Sequence, residues 1–169
     1  MMKKAKKLNP INIKFLKVIS IALFISILFI SIIIFKNFYA KPQYQTFSSS
    51  SNLNFLVDIP SGYEAKEEYT TVEFKVNSKS IVLDRNCTQF DDIRLHMEST
   101  DELNNKKFVG TQEITQINGY PTAIRILEDQ YKSYSILANY CVYTFYTPSP
   151  ELFSDLDQIA HSFQYTGIN

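Results

Sequence analysis

Glycine and cysteine are scarce in this chain of 169 residues, with four and two copies respectively. Four glycines with no clustered run exclude the usual loops that cradle phosphate. Two cysteines exclude a disulfide-dense miniprotein. The sequence contains no G-x-S-x-G elbow, no His-x-x-x-His and no Cys-x-x-Cys spacing, so the common nucleophile and metal signatures are missing. Acidic residues are absent from residues 1–40, which carry seven lysines, whereas residues 41–169 carry 10 Lys+Arg against 17 acidic residues. The formal net charge of zero is therefore +7 set against −7. The acidic distal part would repel phosphate, which argues against a nucleic-acid binder. A hydrophobic fraction of 45% argues against a long disordered chain.

One long apolar run is present. Val18 to Phe35 is uncharged, and its only polar side chains are Ser20, Ser26 and Ser31. As a helix it would span roughly 27 Å, close to the hydrocarbon thickness of a bilayer. Serine hydroxyls bond back to a preceding carbonyl, so they are tolerated there. Lys3, Lys4, Lys6, Lys7, Lys14 and Lys17 precede the run, while only Lys36 and Lys41 follow closely. The positive-inside rule places the N-terminus in the cytoplasm and the rest outside, in a plasma membrane crossed once. Ala22 and Ser26 form a small-xxx-small pair of the kind that can mediate helix pairing. The alternative is a secreted protein whose signal peptide is cleaved. However, the run exceeds the usual apolar core of about 7–15 residues, and Phe38 fits an A-x-A site ending at Ala40 poorly. The absence of a cysteine after the run argues against a lipoprotein anchor.

The expected organisation is a basic cytoplasmic segment over 1–17, a transmembrane helix over 18–36, a Ser-rich tether over 37–52, and an extracytoplasmic α+β domain over 53–169. Val72, Phe74 and Val76 alternate with polar residues, as do Ile93, Leu95 and Met97, which predicts half-buried antiparallel strands. Asn54–Ile59 reads as an opening strand ended by Pro60-Ser61-Gly62. Asn118-Gly119 predicts a type I′ hairpin between Thr111–Ile117 and Tyr120–Glu128. A second hairpin is expected from Tyr131–Ala138 and Tyr140–Thr147. Asp101–Lys107 reads as a short polar helix. Pro150–Phe163 reads as a longer one, capped by Ser149, with Leu152, Leu156, Ile159, Ala160 and Phe163 on one face. The predicted fold is thus an antiparallel sheet with a C-terminal helix packed on it.

The order of these elements resembles the PsbP-like family of exported or lumenal accessory domains, named for an extrinsic subunit of the photosynthetic oxygen-evolving complex. Three segments carry the resemblance: Phe55-Leu56-Val57-Asp58-Ile59-Pro60-Ser61-Gly62-Tyr63, Ile117-Asn118-Gly119-Tyr120-Pro121 with the Tyr-rich hairpin after it, and the closing Ala160-His161-Ser162-Phe163. It covers residues 53–166. The resemblance implies a sandwich of antiparallel sheet and helices, and accessory or binding roles without a shared catalytic site. No metal, cofactor or partner site carries over from it.

Residue chemistry adds little. His96 with Asp91 and Asp92 could hold a metal, but His96 on the wet face of a strand and His161 at a helix C-terminus read more simply as surface residues. Cys87 and Cys141 both lie in the exported part, where a pair is readily oxidised; the alternative is two separate thiols. Tyr131, Tyr134, Tyr140, Tyr143 and Tyr146 crowd one hairpin, and the last four could line a groove for a peptide, glycan or lipid, or simply pack as strand residues. The expectation is a non-catalytic binding or assembly module for an envelope protein, without a cofactor. The alternative is a small-ligand binding or sensing domain, and a weaker one is a metal-dependent or hydrolytic enzyme.

Overall fold

The computed structural model describes residues 18–31, 43–50, 52–87, 91–103, 108–127 and 130–167, and residues 1–42 and 43–169 form two separate compact units. Within the first unit, residues 18–31 form helix α1, with exposed side chains. Ser26 Oγ donates to the carbonyl of Ala22 at 2.9 Å and Ser31 Oγ to that of Ile27 at 2.8 Å, the back-bonding expected of serines in an apolar helix. Fourteen helical residues rise about 21 Å. No helix among the described residues is long and apolar enough to cross a membrane. The basic segment 1–17 and residues 32–36 of the expected span lie outside the described residues.

The second unit is a sandwich. Strands β1 (Tyr44–Ser48), β2 (Phe55–Pro60) and β10 (Gln164–Tyr165) form a small antiparallel sheet in the order β1-β2-β10. The large sheet has seven strands in the order β3-β4-β5-β9-β8-β7-β6. These are β3 (Glu64–Glu68), β4 (Thr71–Val76), β5 (Lys79–Asn86), β6 (Thr111–Ile117), β7 (Tyr120–Leu127), β8 (Tyr131–Ala138) and β9 (Cys141–Thr147). Helix α2 (Ile93–Leu103) connects β5 to β6. A 3-10 turn (Pro150–Leu152) leads into helix α3 (Phe153–His161).

Two-residue loops set much of the register. Asn118 (φ 52°) and Gly119 (φ 85°) both take positive φ, as a type I′ turn requires, and they pair Ile117 with Tyr120. Asn139 (φ 47°) and Tyr140 (φ 60°) do the same between β8 and β9. The main core lies between the large sheet and a layer made of the small sheet and α3. Phe55, Val57 and Ile59 of β2 meet Phe74, Ile81, Leu83, Ile136, Tyr143 and Phe145 of the large sheet, with Leu156, Ile159 and Ala160 of α3 and Phe163 after it. Phe163 stacks on Phe55 with ring centroids 6.1 Å apart and meets Phe145 edge-on at 5.9 Å. The apolar face predicted for α3 is fully buried here. Its start differs: Ser149 makes no side-chain cap, and the first turn is 3-10 with Pro150 at its head.

Three expectations are corrected by the fold. Residues 44–48, assigned to a flexible tether, form strand β1, so the folded unit begins near residue 43 and not at 53. Phe47 anchors that strand, with its ring 5.3 Å from Phe74 and 5.9 Å from Phe55. The serine run is also tied down: Ser49 Oγ donates to the Phe55 carbonyl and accepts from the Phe55 amide, and the Ser50 amide donates to Glu67. Residues 37–42 and Ser51 lie outside the described residues. Ile93–Met97, expected as a strand, opens helix α2 instead. Ile93 and Met97 are buried four residues apart, while Leu95 is 49% exposed, which is helical and not strand spacing. The helix expected at Asp101–Lys107 is the end of α2, and residues 104–107 lie outside the described residues. Asp92 supplies the cap, its Oδ1 accepting from the Arg94 amide at 2.8 Å.

Candidate functional site: a polar trough beside α2

Strand residues alternate between the faces of the large sheet. The face away from the main core carries an apolar patch of Ala123, Leu137 and Val142, which Ile93 and Met97 of α2 cover. Beyond that patch the side chains become small and hydroxylated. Cross-strand pairing places Asp84 beside Thr144 and Thr144 beside Ser135. In the next row Tyr146 sits beside Ser133, and Ser133 beside Arg125. The helix does not reach over these rows, and short side chains cannot fill the space. The result is a trough of about 340 Å³, floored by the sheet, with His96, Met97 and Thr100 of α2 along one side. A second hollow of about 280 Å³ lies between α2 and β6 and shares Arg125 and Met97 with the first.

Polar groups in the trough are organised. Ser135 Oγ and Thr144 Oγ1 are hydrogen-bonded at 3.1 Å. The rings of Tyr131 and Tyr146 lie 6.1 Å apart at 31° to one another. Burial raises the Tyr131 phenol above its ordinary pKa, with Tyr146 reinforcing the shift while Ser133 and Arg125 oppose it. Each of the three Arg125 side-chain nitrogens has a partner. It pairs with Asp101 at 2.9 Å, donates Nε to Gln112 and another guanidinium nitrogen to the Met97 carbonyl, and lies over the Phe108 ring at 5.1 Å. Burial, and then the Arg125 charge, hold the His96 imidazole below its usual pKa. His96 therefore stays neutral near pH 7. Asp84 stands at the exposed rim, 3.5 Å from the Thr70 hydroxyl.

The four tyrosines expected to line one groove do not come together. Strand alternation sends Tyr134 and Tyr143 into the main core, Tyr146 into the trough, and Tyr140 into an exposed turn. Tyr134 donates its hydroxyl to Asp157 at 2.8 Å, and Tyr143 to the Leu53 carbonyl at 2.8 Å. Burial pushes the Tyr143 phenol up to about 12, and burial raises that of Tyr134 as well, helped by Asp157. Tyr131, the fifth tyrosine of that hairpin, lies in the trough with Tyr146, on the parity of Ser133 and Ser135.

Cys87 and Cys141 are joined by a disulfide, S–S 2.06 Å. It extends the β5–β9 ladder by one step, since Asn86 already pairs with Val142. His161 lies far in function from His96: its Nδ1 donates to the Asp157 carbonyl at 2.6 Å, and its ring meets Tyr134. Asp91 and Asp92 are exposed, and Asp92 caps α2 as described. Among the described residues no group of three or more His, Cys, Asp or Glu gathers as a metal site.

This architecture is the PsbP-like fold. Cyanobacterial PsbP (CyanoP) from Synechocystis is similar to this chain at a TM-score of 0.52 and 11% identity, covering 76% of this chain and 95% of that one. A crystal structure of a protein from Bacteroides thetaiotaomicron is similar at a TM-score of 0.50 and 14% identity; the match covers 74% of this chain and 49% of that one. No family model matches the sequence, and no curated protein matches it. At these identities the likeness defines the fold, and the function has to be argued from the trough.

Proposed function

We propose that this chain is a non-catalytic binding protein of the cell envelope, held to the membrane by residues 18–36, that presents its α+β domain outside the cytoplasm. One observation carries the binding reading. A cavity at the lower end of ligand-pocket sizes converges hydroxyls, a carboxylate and two tyrosine rings on one face of a rigid sheet. The side chains around it are arranged to hold a molecule: its hydroxyls pair with each other, its guanidinium is locked and its imidazole is neutral. The placement outside the cytoplasm is supported by the lysine asymmetry around the apolar run and by the Cys87–Cys141 disulfide, which suits an oxidising compartment. The PsbP-like fold is compatible with an accessory domain that binds without transforming.

The full-length chain, with its disulfide kept and one cysteine introduced in α3's exposed flank, treated in intact cells with a membrane-impermeant thiol reagent, tests the placement. Labelling without cell lysis is expected; labelling only after lysis would overturn it. A second reading, docking of an envelope protein, is favoured by β6, an edge strand of the large sheet among the described residues, with Ile114 (42% exposed) in it and Val109 (80% exposed) just before it.

A further inference from the structure

We infer that the trough is a site for a neutral saccharide. The inference rests on the binding reading above and narrows it to a ligand class. Three features disfavour charged ligands of either sign. Arg125 is the one fixed cation among the described lining residues, and its nitrogens already serve Asp101, Gln112 and the Met97 carbonyl. Its charge is balanced by Asp101 at 2.9 Å, and three of its five N–H groups are already taken, which makes it a weakened receptor for a carboxylate or phosphate. His96 is held neutral by burial and by Arg125, so it offers no second positive charge. A cation is disfavoured in turn, because the one carboxylate of the lining, Asp84, stands at the solvent-exposed rim.

What remains matches a polyhydroxylated ring. A hydroxyl both donates and accepts, and the Ser135–Thr144 pair at 3.1 Å uses only one proton between its two oxygens. The other proton and the free lone pairs lie on the trough floor, where ligand hydroxyls can meet them in either sense. Tyr131 and Tyr146 supply the complementary half. Their rings, 6.1 Å apart and tilted by 31°, face the same hollow and offer flat, apolar surface. A sugar ring has the same two characters: an apolar face of C–H bonds and an equator of hydroxyls. Asp84 at the rim is a strong acceptor for two adjacent sugar hydroxyls. The main core can offer none of this, since its tyrosine hydroxyls are already bonded to Leu53 and Asp157.

The test is calorimetric titration of the full chain in detergent with glucose, N-acetylglucosamine, maltose and cellobiose as neutral probes, glucuronate as an anion and glucosamine as a cation. A separate ligand-observed NMR screen uses amino acids and small amines. At least one neutral saccharide is expected to bind, with affinity reduced about tenfold by Tyr146→Ala through loss of the stacking face and lowered several-fold by Asp84→Asn. Tyr140→Ala, in the exposed turn, is expected to leave affinity unchanged. Should Tyr146→Ala unfold, Thr144→Ala removes one floor hydroxyl at a permissive strand position and is expected to weaken binding as well. Preferential binding of glucuronate, glucosamine or an amino acid, lost in Tyr146→Ala, would overturn the saccharide class while retaining the trough as a binding site. Absence of any trough-dependent binding in both experiments would overturn the two readings together. Saccharide binding that none of the trough variants alters would place the sugar elsewhere and overturn this assignment.

Discussion

The two faces of the seven-stranded sheet are made by the same strands and divide the work between them. On one face, residues such as Leu83, Ile136, Tyr143 and Phe145 meet the small sheet and α3 with almost no exposed surface. On the other, their immediate neighbours Asp84, Ser135, Thr144 and Tyr146 line an open hollow. In β9 the division runs residue by residue, with Phe145 in the core between Thr144 and Tyr146 in the trough. Polar groups follow the same split. Tyrosine hydroxyls on the core face are used up in fastening β2's approach and α3 to the sheet, while on the trough face the Ser135 and Thr144 hydroxyls bond to each other. A face that closes builds the fold, and a face that α2 covers only in part leaves room for chemistry.

Substitutions at adjacent positions should break this contrast apart most clearly. Phe145→Ala is expected to cost about 3–5 kcal/mol of stability, by transfer and cavity terms together. Thr144→Ala, one residue earlier, should cost less than about 1 kcal/mol. Chemical denaturation of both variants would check the pair; equal losses would show that the trough face is as structural as the core. Next in size is the disulfide. Replacing Cys87 and Cys141 by serine should remove about 4 kcal/mol on the chain-entropy model for a separation of 54 residues, measured as a lower denaturant midpoint. Smaller again is the α2 cap: Asp92→Ala leaves the Arg94 amide without its acceptor and should cost about 1 kcal/mol, read from the melting temperature, with Asp92→Asn largely restoring it.

The smallest effect belongs to His96 and depends on pH. Its pKa in the folded protein lies below the ordinary value, so the unfolded chain takes up a proton first as pH falls. The stability linked to His96 is therefore complete above about pH 6.5 and is lost as pH drops through the lower folded pKa. Thermal melts between pH 7 and pH 5 should show a steeper loss in the wild type than in His96→Gln. Parallel curves would contradict the burial of this imidazole against Arg125.

Sequence alone made the core face legible, because its signals are local: alternation in Thr71–Val76, the Asn118-Gly119 turn, and the Leu156–Ile159–Phe163 stripe of the last helix and its exit. The trough was harder to see. Its floor is Ser and Thr, residues with no hydropathy signal, brought together by pairing between β5, β8 and β9 that no local pattern encodes. Helix α2 was misread because Ile93, Leu95 and Met97 satisfy a period of two as readily as Ile93 and Met97 satisfy one helical turn; Asp92 as a cap was the deciding clue. Strands β1 and β3 escaped for another reason. Only Phe47 of β1 reaches the core, and the charged edge strand Glu64–Glu68 carries almost no buried surface, so tertiary pairing and not composition makes them strands. Five tyrosines in one hairpin looked like a single surface, yet Tyr143 and Tyr146 stand three apart in one strand and so face opposite ways, and the register then puts Tyr134 with Tyr143 and Tyr131 with Tyr146.

The division of the sheet into a closed face and a binding face is tested most directly by the tyrosine rings themselves. Aromatic NMR signals of the full chain, assigned by single Tyr→Phe variants, would be followed while the tightest-binding neutral saccharide is added. The rings of Tyr131 and Tyr146 should shift in a saturable way, while those of Tyr134 and Tyr143 stay in place. Shifts confined to Tyr134 and Tyr143, or no shift at any of the four, would contradict the account.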